Sequence, residues 1–201
     1  MKKIILAGGS GFIGSYLSKR FLEKGYKVVV FSRRKTKTED KVRYVNWDGK
    51  NLSDWKNELE NSFLLINLCG KTVATRHTLK NKKEILDSRI NSTKILNKAV
   101  LDCKNPPKYW FNSSGATIYK TSFTQKRTED FSEIEQEFLT EVILEWEQTL
   151  FENTNWEYRI SATNILNTKN LNSDSFSSFS FSTSQYVVQP RYLIFSLKYN
   201  L

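Results

Sequence analysis

Three glycines spaced three residues apart stand between an apolar run and an amphipathic segment, and this constrains the chain more than any other feature. Residues 3–7 (Lys-Ile-Ile-Leu-Ala) predict a short buried strand. Gly8-Gly9-Ser10-Gly11-Phe12-Ile13-Gly14 follows at once. Ile13, Tyr16, Leu17 and Phe21 then recur at helical spacing, and Gly25 is a helix stop. Tyr26 to Phe31, with Val28-Val29-Val30, predicts a second buried strand. Strand, glycine loop, helix and strand within about thirty residues make a parallel crossover unit. In such a unit Gly8 permits a sharp turn, Gly11 lets the backbone approach a pyrophosphate, and Gly14 lets the helix pack close to the strand. The free N–H groups and positive end of the helix favour phosphates. Gly8, Gly9, Ser10, Gly11, Phe12, Ile13 and Gly14 are therefore expected to cradle a dinucleotide.

The alternation continues. Val42 to Trp47 predicts a third strand, Asp54 to Leu59 a short helix, and Phe63 to Leu68 a fourth strand that is apolar nearly throughout, as when both faces of a parallel sheet are covered. Lys80 to Cys103 predicts a long helix, broken by Asn105-Pro106-Pro107. Tyr109 to Asn112 predicts a fifth strand, Glu133 to Phe151 a helix, and Tyr158 to Ile160 the start of a sixth strand. This order predicts an α/β fold with an open, doubly wound parallel sheet. From Ala162 to Leu201 there is no Gly or Glu and few charges, and Ser173 to Ser184 approaches low complexity, although its Ser/Phe alternation suits a strand.

Composition excludes several classes. The chain has 201 residues, 39% of them apolar, enough for one core of ordinary size. No apolar run approaches the roughly eighteen residues of a membrane span, and the N-terminal run ends at Gly8-Gly9, short of a signal segment. Cys69 and Cys103 have no metal-type spacing, so neither a metal site nor a disulfide is expected, and a cytoplasmic setting fits. The net charge of +10 is scattered, as on a solvated surface and unlike a nucleic-acid footprint. The exception is Arg33-Arg34-Lys35 with Lys37.

Cofactor choice is decided at the end of the second strand. An NAD site places Asp or Glu there for the ribose hydroxyls, whereas this chain has Ser32-Arg33-Arg34. Guanidinium groups suit a 2′-phosphate by charge and by bidentate geometry, so NADP is preferred over NAD.

Ala7-Gly8-Gly9-Ser10-Gly11-Phe12-Ile13-Gly14 resembles the extended short-chain dehydrogenase/reductase superfamily. Further stretches resemble its atypical branch, the NAD-dependent epimerase/dehydratase or nucleoside-diphosphate-sugar epimerase family. These stretches are Trp47-Asp48-Gly49, Ile66 to Gly70, Arg76-His77-Thr78, Asp87 to Thr93, Asn112 to Tyr119, Thr128-Glu129-Asp130 and Glu145-Trp146-Glu147. Order and spacing match from residue 1 to about 161. The resemblance implies a Rossmann-type NAD(P)-binding fold over 1–161, incomplete at its C-terminus. It implies that Asn67, Leu68, Cys69 and Gly70 line the cofactor beside the adenine and ribose. It also implies that Asn91 supports the site from the long helix, and that Ser113-Ser114 end the fifth strand under the nicotinamide.

Two departures bear on catalysis. The family's usual serine or threonine is replaced by Gly115, which leaves Ser114 or Thr117 as substitutes. The Tyr-x-x-x-Lys pair of most dehydrogenases of the superfamily is missing from Phe138 to Ile143, and Tyr119 is the nearest tyrosine for the acid/base role. His77, the only histidine, reads as an exposed loop residue, and no nucleophile triad is supported. Residues 162–201 lack any family motif and are expected to be a tail produced by a shifted reading frame near residue 161, with a divergent C-terminus as the alternative.

The expected function is that of an NADP-binding epimerase or oxidoreductase acting on a sugar-nucleotide-like or other carbonyl or alcohol substrate. The alternatives are a non-catalytic NADP-binding regulatory or assembly protein, or a truncated product with little activity. Expected partners are the dinucleotide, a small-molecule substrate and, through the helices over 81–103 and 133–151, a second copy in a homodimer. No membrane or nucleic-acid partner is expected.

Overall fold

The computed structural model of the chain describes residues 1–115, 118 and 137–151 in full, with the backbone of four strands between residues 156 and 199. The chain divides into two compact units, Met1–Glu152 and Asn153–Leu201.

The first unit runs β1 (Lys3–Ala7), α1 (Phe12–Glu23), β2 (Lys27–Ser32), β3 (Lys37–Glu39), β4 (Val42–Asn46), a 3-10 turn (Asp54–Glu58), β5 (Leu64–Asn67), α2 (Leu79–Leu101), β6 (Tyr109–Asn112) and α3 (Phe138–Phe151). The strand order is β3-β4-β2-β1-β5-β6. Every neighbouring pair is parallel except β3 with β4. The chain winds outward from β1 to β2 and β4, then returns to the other side of β1 for β5 and β6. This is the doubly wound, Rossmann-type architecture, and its switch point lies between β1 and β5.

Alternation along each strand builds two cores. Ile5, Ala7, Val29, Phe31, Val45 and Leu65 face one way and pack with Trp47, Trp55, Leu59, Leu96 and Ala99. Ile4, Leu6, Val28, Val30, Val42 and Leu64 face the other way, against Leu17, Phe21 and Leu22 of α1. Because both faces are covered, β1 and β2 read as continuous apolar runs. On the first face α2 packs beside α3. Trp146 Nε1 donates to Thr93 Oγ1 at 2.9 Å, and Asn97 Nδ2 donates to the Thr149 carbonyl at 2.8 Å. Thr78 caps α2, its Oγ1 accepting from the Asn81 N–H.

Several elements differ from the sequence reading. The short helix over 54–59 is a 3-10 turn. β3 carries no apolar pattern; a tight turn with Asp40 at φ 48° and Lys41 at φ 66° folds it back on β4. α3 is described from Phe138, and the earlier residues of the expected helix lie outside the described residues.

The second unit holds β7 (Trp156–Thr163), β8 (Asn170–Phe176), β9 (Phe181–Val187) and β10 (Tyr192–Tyr199). The expected sixth strand lies within β7, which pairs antiparallel with β10. The Ser/Phe alternation is divided between β8 and β9, which pair antiparallel. No described helix is long and apolar enough to cross a membrane.

Candidate dinucleotide-binding site

Register places the site. Ala7 lies level with Phe31 on one side and Asn67 on the other, and Asn67 is level with Asn112. The loops that follow β1, β5 and β6 therefore leave the sheet at the same height. This carboxyl edge, next to the switch point, is where open α/β sheets take ligands.

The glycines divide by role. Gly8 has φ +73°, its N–H donates to the Phe31 carbonyl at 2.9 Å, and a Cβ there would lie 2.8 Å from Cys69 Sγ. A Cβ on Gly9 would come within 2.6 Å of Leu6 Cβ. A Cβ on Gly14 would sit 2.2 Å from the Gly9 carbonyl oxygen. Gly14 thus allows the helix to close on the glycine loop itself, where the sequence reading had it closing on the strand. Gly11 is different: it is extended, at φ −89°, and a Cβ there meets nothing within 4 Å. The fold places no demand on Gly11. It precedes α1 without a side-chain cap, and the first helical bond runs from the Ser15 N–H to its carbonyl. The N–H groups of Phe12, Ile13 and Gly14 accordingly have no partner within the helix. Phe12 and Ile13 are exposed and Ser10 is half-buried.

At the end of β2, Ser32 is buried and its Oγ accepts from the Arg34 N–H at 3.3 Å. Asn46 Nδ2 donates to the carbonyls of Arg33 and Arg34, which fixes this turn against β4. The Arg34 guanidinium lies 5.5 Å from the Tyr44 ring centroid. Both arginines are exposed, and among the described residues neither forms an ion pair.

After β5, the Leu68 N–H donates to the Ala7 carbonyl at 2.8 Å, and Cys69 lies against Gly8. Burial pushes the Cys69 thiol up to about 12, so it stays protonated and is no nucleophile. Asn67 is fully buried. Its Nδ2 donates to Thr93 Oγ1 at 3.0 Å and Asn112 Oδ1 at 2.7 Å, and its Oδ1 accepts from the Cys69 N–H at 3.1 Å. Its side chain therefore ties the β5 and β6 loops from within the protein.

The Ser113 N–H donates to the Asn67 carbonyl at 2.9 Å. Ser114 is exposed, and its Oγ donates to Glu147 Oε1 of α3 at 2.5 Å. The structure thus brings the glycine loop, the 68–70 loop and Ser113-Ser114 to one edge. Asn91, on the same long helix, lines an open depression of about 350 Å³ with Lys50, Lys94, Ile95 and Lys98. The helix residues that meet the 69–71 loop are Ser88, whose Oγ accepts from the Lys71 N–H, Arg89 and Ser92. Sequence reasoning missed Arg89 and Thr93, although both lie inside the Asp87 to Thr93 stretch and are spaced four apart. Tyr119, Thr117, Glu129 and Asp130 lie outside the described residues. His77 is exposed, with Nε2 3.1 Å from the Val73 carbonyl oxygen. Among the described residues no group of His, Cys, Asp and Glu could hold a metal ion.

Comparison with known proteins agrees with the Rossmann-type fold. A family profile described as "NAD dependent epimerase/dehydratase family" matches residues 4–137. An epimerase family protein of Staphylococcus saprophyticus is 33% identical over 149 residues, covering 74% of this chain and 49% of that protein. The epimerase family protein YfhF of Bacillus subtilis is 34% identical over 146 residues, covering 72% and 48%. Among solved structures, the human epimerase family protein SDR39U1 with NADPH aligns with a TM-score of 0.60 at 26% identity, covering 74% of this chain and 48% of that one. The UDP-glucuronic acid 4-epimerase of Bacillus cereus, in complex with UDP-glucuronic acid and NAD, has the same fold, with a TM-score of 0.62 at 20% identity over 75% and 52% of the two chains. The chain spans about half the length of the curated relatives it matches.

Proposed function

The chain belongs to the NAD dependent epimerase/dehydratase family, and from that premise we propose that it binds NADP(H) at the carboxyl edge of the sheet and acts as an epimerase or oxidoreductase on a carbonyl or alcohol substrate of the sugar-nucleotide type. One observation carries the reading. Gly11 has ordinary dihedrals and open space where a side chain would stand, which supports a ligand that occupies this space in place of a Cβ. Phosphate at that position meets the free N–H groups of the first turn of α1.

The residues present fit the dinucleotide. The backbone of Gly11, Phe12 and Ile13 would hold the pyrophosphate. Arg33 and Arg34, exposed and, among the described residues, without carboxylate partners, would take the 2′-phosphate, which favours NADP over NAD. Leu68, Cys69 and Gly70 would line the adenosine side, and Ser113 the nicotinamide side. Bound there, the nicotinamide supplies a hydride donor or acceptor. Ser114 and Tyr119 are the proposed proton-handling groups. The Ser114 hydrogen is committed to Glu147, so its oxygen presents lone pairs and orients a donor such as a substrate hydroxyl.

The test is an NADPH fluorescence titration of the full chain, followed by NADPH oxidation with a panel of carbonyl compounds and sugar nucleotides. Saturable binding with turnover supports the proposal. Binding without turnover rejects the enzymatic half, and no binding rejects the whole.

A further inference from the structure

Arg89 is used by none of the steps above, yet the fold makes specific room for it. It projects from α2, four residues before Thr93, toward the loop after β5. Its Nη1 donates to the Lys71 carbonyl at 3.2 Å and the Ile85 carbonyl at 2.9 Å. Its Cζ lies 5.2 Å from the Trp146 ring centroid. A Cβ on Gly70 would stand 2.9 Å from that Cζ, so a glycine leaves the space the guanidinium fills. Burial lowers the guanidinium below its usual value, yet among the described residues no carboxylate pairs with it. Nearby Lys71, by contrast, has Glu84. A partly buried cation without a counterion is costly. Among the described residues, the two carbonyl bonds from Nη1 are the guanidinium's only hydrogen bonds, which leaves the other donors of the five-donor fork open. The location is also specific: Gly70 follows Cys69, which abuts Gly8 of the glycine loop.

We propose that Arg89 is an oxyanion receptor that takes a carboxylate or phosphate of the substrate through its remaining N–H fork, with the Trp146 ring behind it. The proposal rests on the cofactor reading only for its neighbourhood. It makes the substrate anionic at a point close to the 68–70 loop, and a neutral analogue would leave the charge unpaired.

The test uses tryptophan emission of the full chain, saturated with NADP⁺, titrated separately with glucuronate as the carboxylate probe and inorganic pyrophosphate as the phosphate probe. A saturable emission change with at least one probe is expected, and the responding probe distinguishes the two anions. Arg89→Gln should weaken that probe by about tenfold or more, and by clearly more than it weakens NADP⁺. Trp146→Phe should abolish the emission change while calorimetry still detects the probe. If NADP⁺ itself fails to bind, the cofactor reading falls, and the same titration on the apo chain carrying Gly11→Val still reports on Arg89 without pyrophosphate held at the glycine loop. Should Arg89→Gln not fold, Arg89→Lys replaces it. That variant keeps the charge but loses the planar fork, with an expected weakening of about threefold or more. No saturable response to either probe, or an unchanged Kd in the folded variant, overturns the proposal.

Discussion

Gly11→Val should separate binding from folding. The new Cβ meets no protein atom within 4 Å, and φ −89° suits any residue. The fold loses only the small advantage of glycine over valine at a helix N-cap, about 1 kcal/mol or less. For a chain of this size that is a Tm shift of about 2–4 °C. The ligand loses much more, because a branched side chain fills the space through which phosphate reaches the first-turn amides. A weakening of about 100-fold, or 2.7 kcal/mol, is expected for NADPH. Gly14→Ala is the opposite case: its Cβ would stand 2.2 Å from the Gly9 oxygen, so the helix start must shift, at a cost of about 3 kcal/mol. NADPH fluorescence titration and thermal melting of both variants check the pair. A Gly11→Val protein that binds NADPH like the parent, or one that melts as early as Gly14→Ala, would refute the reasoning.

Arg33→Ala with Arg34→Ala should weaken NADP⁺ by about tenfold or more and leave NAD⁺ within about threefold, because only the 2′-phosphate loses charged partners; equal losses in calorimetry would count against the clamp. Asn67→Leu removes partners from Thr93, Asn112 and the Cys69 N–H at once, and urea unfolding should show a loss of about 3 kcal/mol. The Cys69 thiol, raised from 9.0 to about 12 by burial, favours the folded state fully below the unfolded value. That contribution should fade as pH rises from 9 toward 12, and a Cys69→Ala variant that keeps the same alkaline loss in urea titrations would contradict it.

The inner strands were legible because burial on both faces leaves unbroken apolar runs such as Ile4-Ile5-Leu6-Ala7 and Val28-Val29-Val30-Phe31. The glycine loop was legible because its backbone demands are local. β3 was not: Lys37-Thr38-Glu39 is wholly exposed, and its turn uses Asp40-Lys41 in place of a glycine. β7 was legible as a strand, but its partner depends on distant residues of β10. Asn67 sits in an apolar strand, and only the neighbouring Thr93 and Asn112 show that its amide turns inward. Arg89 and Asn91 are two residues apart in one stretch, and the phase of α2 turns Arg89 onto the 69–71 loop and Trp146 of α3.

The most direct measurement is amide NMR of the full chain during titration with NADP⁺. Grip on the pyrophosphate by the first-turn backbone predicts saturable shifts at the amides of Gly11, Phe12 and Ile13, with one stoichiometric site. Unchanged signals at those residues up to millimolar cofactor, or shifts confined to other loops, would contradict it.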